Sequence, residues 1–460
     1  MRDAAKTRVP MSSAQSWIPR RKLRHSPRHQ VGELDRSLQT GPRGDWGIVS
    51  GGVPKEPGMD IAISNLRQTD DGFATASAAI RDGELTHTVW YRSAYQDLSG
   101  GEEAFVIASL LPAMVQGLPL KSNRPVSPRL LGAIPAIQEI FHVWDEKFRQ
   151  IELVVPARST PPGISGDRVG AFFSGGVDSF YTLLKHQEEI TDLILVRGFD
   201  IRLEDQALWT DTSARMRDVA RRFGKRLIEV ETNVTEFSDR YVIWDFYYGA
   251  GLASVVALLS PRFRKVYIPS GHSYLLIIPN GSHPLVDSLW STETTEIVHD
   301  GCEATRAEKV LRIASNTVVH DHLRVCWKNA GGAYNCGKCE KCLRTMVSLR
   351  IAGVLERCTT FPQPLDLGAV ARVRTRDAYV RFCAETNLRA AEAAGRDPKL
   401  IQALTASLDG LYYRRSRRLM RATRRLPVRL WRFVVPAAWR RYLRRLLEYV
   451  QAWGACRLPP

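Results

Sequence analysis

The amino-acid sequence predicts an α/β protein built on a parallel, doubly wound sheet. Between residues 168 and 269, short apolar runs alternate with longer helical ones, and one of these junctions is a glycine-rich turn leading straight into a helix. Four cysteines gathered between 326 and 342 add a metal-binding lobe to this picture. At 460 residues and 44% hydrophobic content, the chain is long enough for two or three domains and can build at least one sizeable core.

The apolar runs expected as strands are Arg168 to Phe173, Leu193 to Val196, Leu227 to Val230 and Lys265 to Pro269, with helical spacing over 179–188, 204–223 and 241–260 between them. Strand, helix, strand in repetition implies parallel strands covered on both faces, and such sheets take their ligands at the carboxyl ends of the strands. Upstream, 59–160 reads as a small mixed α+β domain. It has strand-like Thr86 to Arg92 and Gln150 to Pro156, and helical Glu103 to Gln116 and Leu130 to Phe148. The catalytic domain is expected over 165–360, followed by a helical piece over 361–410.

The two ends differ in composition from the middle. Residues 1–58, rich in Arg, Ser, Pro and Gly without periodicity, read as a disordered basic extension. Residues 411–460 hold fourteen arginines against Glu448 alone and read as an Arg-rich amphipathic helical tail, with Trp439, Leu443, Leu446, Leu447, Val450 and Trp453 on one face. The net charge of +17 sits in these ends and leaves the middle slightly negative, so the centre of the chain carries no electrostatic footprint for a polyanion. Such a tail packs on its own domain with its basic face in water, or meets an anionic membrane surface or a nucleic acid. No stretch of about 18 uninterrupted apolar residues occurs, and the N-terminus lacks the apolar core of a secretion signal, so a cytoplasmic protein is expected. A homo-oligomer is compatible with this composition.

Val169 to Phe173 delivers the chain into Ser174-Gly175-Gly176-Val177-Asp178-Ser179, followed by helical Phe180 to Leu184. A strand, a glycine loop and a helix N-terminus make an anion site: the glycines let backbone N–H groups approach phosphate oxygens, Ser174 and Ser179 add hydroxyl donors, and the helix dipole favours negative charge. A carboxylate there would repel phosphate unless a cation intervenes, which makes Asp178 a candidate Mg²⁺ ligand. The alternative is a plain βα turn in which Ser179 or Asp178 caps the helix.

Cys326, Cys336, Cys339 and Cys342 are spaced C-x9-C-x2-C-x2-C, the ligand number of a closed tetrahedral Zn²⁺ site, with Gly331, Gly332 and Gly337 at the bends. An iron–sulfur cluster is the rival, since the last three cysteines match ferredoxin spacing, although the fourth lies upstream and no Cys-Pro follows. The run from Gly332 to Lys338 nearly matches a Walker A loop, but Cys339 replaces the hydroxyl residue and no strand precedes it. Asp287, Glu293, His272 and His283, after the fourth strand, are weaker candidates for the active site. Cys302, Cys358, Cys383 and Cys456 read as small hydrophobes.

The loop 174–179 resembles, position by position, the Ser-Gly-Gly-x-Asp-Ser signature of the PP-loop ATP pyrophosphatase superfamily (adenine nucleotide alpha hydrolase-like). That resemblance implies a Rossmann-like HUP/PP-loop sheet and cleavage of ATP between its α- and β-phosphates. It further implies an adenylated intermediate, with Ser174 and Asp178 as catalytic residues and Ser174, Gly175, Gly176, Val177, Asp178 and Ser179 on the nucleotide. By the same analogy adenine lies at Arg197-Gly198-Phe199-Asp200, and Gly271 lies near nucleotide or substrate. Joined to the cysteine quartet, the loop is similar to that of 7-cyano-7-deazaguanine synthase-like proteins. The likeness runs over roughly 168–350 and includes Tyr248-Gly249-Ala250-Gly251-Leu252 and Thr305-Arg306-Ala307-Glu308. It implies an AMP-forming C–N ligase acting on a small-molecule acceptor with a nitrogen donor. One extra residue in the first cysteine gap, the added ends and Trp290-Ser291-Thr292-Glu293 depart from that pattern and leave the acceptor open. Two other readings stand beside it: a PP-loop tRNA thiolase with an iron–sulfur cluster, and a non-catalytic, membrane-peripheral nucleotide-binding module.

Overall fold

The computed structural model describes residues 58–410 apart from 64–66, 69–71, 95–97, 99–100, 160–165 and 363. The expectations for the basic extension and the Arg-rich tail, and for Cys456, lie outside the described residues.

Eleven strands form one sheet: β1 (Met59–Ile63), β2 (Arg67–Gln68), β3 (Ala74–Asp82), β4 (Leu85–Ser93), β5 (Leu120–Ser122), β6 (Leu153–Val154), β7 (Arg168–Phe172), β8 (Asp192–Arg197), β9 (Arg226–Thr232), β10 (Phe263–Pro269) and β11 (Glu296–Asp300). Their order is β11-β10-β7-β8-β9-β4-β3-β1-β5-β6, with β2 beside β3. The run from β11 to β9 is parallel throughout. Chain order reverses between β7 and β10, so the crevice between their carboxyl ends is the topological switch point at which open parallel sheets bind ligands.

Alternation places successive side chains of each strand on opposite faces. Phe172 and Ile194 enter one apolar cluster, with the helices Glu102–Gln116 and Trp244–Leu259. Val169, Ala171, Phe173, Leu193 and Leu195 enter the other, with the helices Val177–Lys185, Gln206–Arg222, Arg306–Ile313 and Glu340–Ile351. The sheet is therefore covered on both sides, as the apolar runs predict. β11 was not anticipated from the sequence, because Glu296-Ile-Val-His-Asp300 is short and polar at both ends.

Residues 59–160 do not stand apart. β4 pairs antiparallel with β9, through Tyr91 with Thr232 and Ser93 with Val230, so the N-terminal strands continue the same sheet. Asn233 secures the joint by accepting from Trp90 N–H at 2.9 Å and donating to Thr88 O at 2.9 Å. The Gln150 to Pro156 segment contributes only the two-residue strand β6. The piece 361–410 is helical, as expected, with Leu367–Ala371, Ala378–Ala394 and Pro398–Asp409.

Two glycines fix the geometry near the switch point. Gly198 has φ +100°, and a Cβ there would lie 1.9 Å from Thr232 O. A Cβ at Gly249 would meet Gly281 O at 1.9 Å, so the helix Trp244–Leu259 packs against the 281 backbone only with hydrogen at that position. Gly198→Ala is therefore expected to cost about 2–4 kcal/mol of stability through left-handed strain plus overpacking, whether or not nucleotide is present. Denaturant midpoints of native and variant protein check it.

Candidate functional site

A cavity of about 580 Å³ opens at the switch point, within the range of about 300–1,000 Å³ usual for ligand sites. Ser174, Gly176, Asp178 and Ser179 line it from the loop after β7, Phe199 and Asp200 from the loop after β8, and Gly271 and His272 from the loop after β10. Of the other sequence candidates, Val177 is fully buried in the core. Gly175 takes φ +73° with its carbonyl bonded to Arg324 N–H at 2.8 Å. Gly198 serves the close approach to Thr232 described above.

The loop is not a capped turn. Gly176 is the N-cap of the helix Val177–Lys185 and supplies no side chain, while Ser179 Oγ donates to Gly176 O at 3.0 Å and does not reach the helix amides. The first-turn N–H groups thus face the cavity side without a side-chain acceptor, a ready anion site. Ser174 is exposed on the lining, positioned to add its hydroxyl.

Asp178 differs from expectation. Both its carboxylate oxygens are already engaged by protein cations: Oδ2 pairs with Arg306, and Oδ1 with Lys309 Nζ at 3.2 Å. Burial pushes its carboxyl up, but Arg306, Lys309 and Lys341 outweigh that and hold it down at about 2. Asp178, expected as a Mg²⁺ ligand directly or through water, thus has protein cations on both oxygens, so the charge that balances it is here part of the chain. The helix that carries both partners begins with a capping box, in which Thr305 N–H donates to Glu308 Oε2 at 2.7 Å and Glu308 N–H to Thr305 Oγ1 at 3.3 Å. A single sequence can show that box, but not which carboxylate the helix will face.

Arg306, Arg324, Lys341 and Arg344 all line the cavity. Arg306 Nε and Nη2, Arg324 Nε and Arg344 Nε are buried and have no partner among the described residues. Leaving such donors unmet costs roughly 1–3 kcal/mol apiece, more for charged groups.

The four cysteines converge as their spacing predicts, all four sulfurs lying within 4.8 Å of one another. Cys326 and Cys339 Sγ are 4.0 Å apart, and Cys336 and Cys342 Sγ 3.9 Å. A tetrahedral ion with bonds of about 2.3 Å needs sulfur separations of about 3.8 Å, so the quartet can hold one metal ion. Asn335 holds the lobe by accepting from Val325 and Cys326 N–H at 2.8 and 3.2 Å. Gly331, Gly332 and Gly337 take positive φ as the bends require. Cys339 caps the helix Glu340–Ile351, whose first turns carry Lys341 and Arg344, and Arg324 precedes Cys326 by two residues. The metal lobe and the cationic wall are therefore one construction. The near-Walker segment Gly332 to Lys338 belongs to this lobe and cradles no phosphate.

The weaker candidates separate cleanly. His272 lines the cavity. His283 packs its ring against Trp144 at 4.9 Å and accepts from Leu285 N–H at 3.1 Å. Glu293 accepts from Arg129 N–H at 2.7 Å at the start of the helix Pro128–Trp144. Asp287, wholly buried, bonds Ser282 Oγ at 2.6 Å and His299 Nδ1 at 2.7 Å. Cys302 is more than a small hydrophobe, since its sulfur lies 3.2 Å from Ser270 Oγ and beside His299. Sequence reasoning also missed Arg324, Lys341, Arg344 and Tyr379. Tyr379 enters the lining from the helix Ala378–Ala394 and donates to Gly271 O at 2.6 Å.

Two outcomes follow from this geometry. Burial pushes the His299 imidazole down, but the hydrogen bond to Asp287 overrides it and raises the pKa to about 9. The stability that this pair contributes is present in full below the ordinary histidine value and is lost as pH rises through about 9. Melting temperature is thus expected to fall between about pH 7 and 10 with a slope that His299→Gln removes. Elemental analysis is expected to find about one metal ion per chain, and Cys339→Ser is expected to lose it together with affinity for nucleotide, measured by calorimetry.

No family model, no curated protein and no solved structure matches the chain.

Proposed function

We propose that this chain is an ATP-dependent ligase that forms AMP and pyrophosphate: it adenylates a carboxylate or amide oxygen of a small acceptor, and ammonia or another nitrogen nucleophile then displaces AMP. The observation that carries the reading is the set of buried guanidinium N–H groups without a partner among the described residues, on Arg306, Arg324 and Arg344, in the lining of the cavity that an uncapped helix N-terminus also lines at the switch point. That is a receptor for a polyanion bearing phosphates, and the loop that supplies the helix N-terminus carries the PP-loop signature.

In this reading the β- and γ-phosphates lie against Gly176, the first amides of the helix Val177–Lys185, Ser174 and the guanidinium of Arg324. Adenine lies against Phe199 at the end of β8. The acceptor oxygen attacks the α-phosphorus, the bond between that phosphorus and the bridging oxygen to the β-phosphate breaks, and pyrophosphate leaves with the electron pair. Arg306, Lys341 and Arg344 meet the charge that develops on it, fixed dipoles and cations being worth most where water is excluded. Asp178 holds Arg306 and Lys309 in place and keeps the local charge from running to excess. Mg²⁺, where bound with the nucleotide, would supply further charge neutralisation.

The quartet is best read as structural Zn²⁺. Four thiolate ligands leave no open position, and sulfurs within 4.8 Å of one another suit a single tetrahedral ion. Its work is to brace the helix that presents Lys341 and Arg344. This weighs against the thiolase alternative.

Full-length protein given ATP, Mg²⁺ and a pool of carboxylic acids is expected to exchange labelled pyrophosphate into ATP. Arg306→Met and Lys341→Met are each expected to slow that exchange about 10²-fold. Asp178→Asn is expected to slow it as well, by freeing Arg306 and Lys309 from their anchor. If no acid in the pool supports exchange, and native and Arg306→Met proteins bind ATP equally well, the ligase reading fails.

A further inference from the structure

His272 is the one histidine among the described residues that lines the cavity, two residues beyond Ser270 in the loop after β10, and it shares that lining with Ser174, Gly176 and Asp178. Its backbone is clamped on both sides by a single hydroxyl: His272 N–H donates to Ser270 Oγ at 3.1 Å, and Ser270 Oγ donates to His272 O at 3.0 Å. The ring rests against Tyr379 with centroids 4.6 Å apart, and Tyr379 is itself fixed by its bond to Gly271 O. Yet Nδ1 is buried with no partner among the described residues. The ring thus lines the cavity in a fixed position, with one nitrogen that no described residue satisfies.

We propose that His272 is the base that takes the proton from the nitrogen nucleophile as it attacks the adenylated acceptor. This rests on the ligase reading above and adds the residue that serves its second half. For an acyl adenylate, the nitrogen lone pair forms the C–N bond, the bond between the acyl carbon and the AMP oxygen breaks, and AMP leaves with that electron pair. The surplus N–H proton passes to the imidazole and from there to water.

The surroundings suit that task. Burial pushes the imidazole down to about 4, and His299, His283 and Lys309 push the same way, so at neutral pH the ring is uncharged and can accept a proton. Asp178, on the facing loop, acts in the opposite sense and favours the imidazolium once it has formed. Three of the acidic and phenolic groups of the lining are engaged. Asp178 is bound to Arg306 and Lys309, Asp377 accepts from Tyr379 and Val380 N–H at 2.9 Å each, and Tyr379 donates its hydroxyl proton to Gly271.

The two half-reactions separate this proposal from the reading beneath it. Pyrophosphate exchange into ATP reports adenylation, and ammonium-dependent release of AMP reports transfer. Hydroxylamine, largely unprotonated at neutral pH and strongly nucleophilic, replaces ammonia without help from a base. His272→Gln and His272→Asn, both of which keep a polar group in the slot, are expected to hold exchange within about threefold of native. They are expected to lower ammonium-dependent AMP release about 10²–10⁴-fold and to recover most of it with hydroxylamine. Variants that lose exchange and transfer in equal measure, or that transfer to ammonia as fast as native protein, overturn the proposal. Native protein that performs no exchange with any acid overturns the ligase reading and this step with it.

Discussion

The cavity is organised around one carboxylate and the cations that close on it. Asp178 stands on the first turn of the helix Val177–Lys185, where the helix dipole favours its charge, and Arg306 and Lys309 pair with its two oxygens. Lys309 Nζ also donates to Ser270 O at 2.6 Å. One ammonium therefore ties together the loop after β7, the loop after β10 and the helix Arg306–Ile313, the three walls that meet at the switch point. Remove the carboxylate and two buried cations lose the partner that orients them, a change that costs more than the pair contributes when intact.

The same economy explains why so many parts of the chain converge on one cavity. The cysteine quartet borders the apolar cluster that Val325, Leu343 and Met346 share with the sheet. It sets the start of the helix Glu340–Ile351, and through it the positions of Lys341 and Arg344. The helix Ala378–Ala394 then lays Tyr379 against His272 and the Arg344 guanidinium 5.0 Å from the Tyr379 ring centroid. Asp377 and Tyr379, in a stretch that reads as a plain helical extension in the sequence, form part of the lining.

Legibility in the sequence followed the range of the interaction. The parallel strands, the glycine loop and the cysteine spacing are local patterns, set by side-chain alternation, by the conformational freedom of Gly175 and by ligand count. Each could be read from a few neighbouring residues. What could not be read was pairing across distance: Asp178 with a helix 128 residues downstream, Cys302 with Ser270, and β4 with β9, which joins the N-terminal strands to the parallel sheet. β11 escaped because five residues with charged ends give no alternation strong enough to stand out. Asp287 and His283 looked catalytic by type and turned out to hold the 282–299 segment together, since a buried acid bonded to a histidine and a hydroxyl is as useful for fixing a loop as for chemistry.

The contrast between His299 and His272 shows how the fold assigns different work to two buried imidazoles on neighbouring strand ends. His299 has a buried carboxylate 2.7 Å from Nδ1 and is held charged. His272 has no such partner, is held neutral by burial, and keeps a nitrogen unsatisfied. A charged histidine cannot accept a proton, and a satisfied one has no reason to meet a ligand. Only the second arrangement leaves a base at the edge of the phosphate loop, and it exists because Ser270, the residue after β10, spends its hydroxyl on the His272 backbone and leaves the ring free.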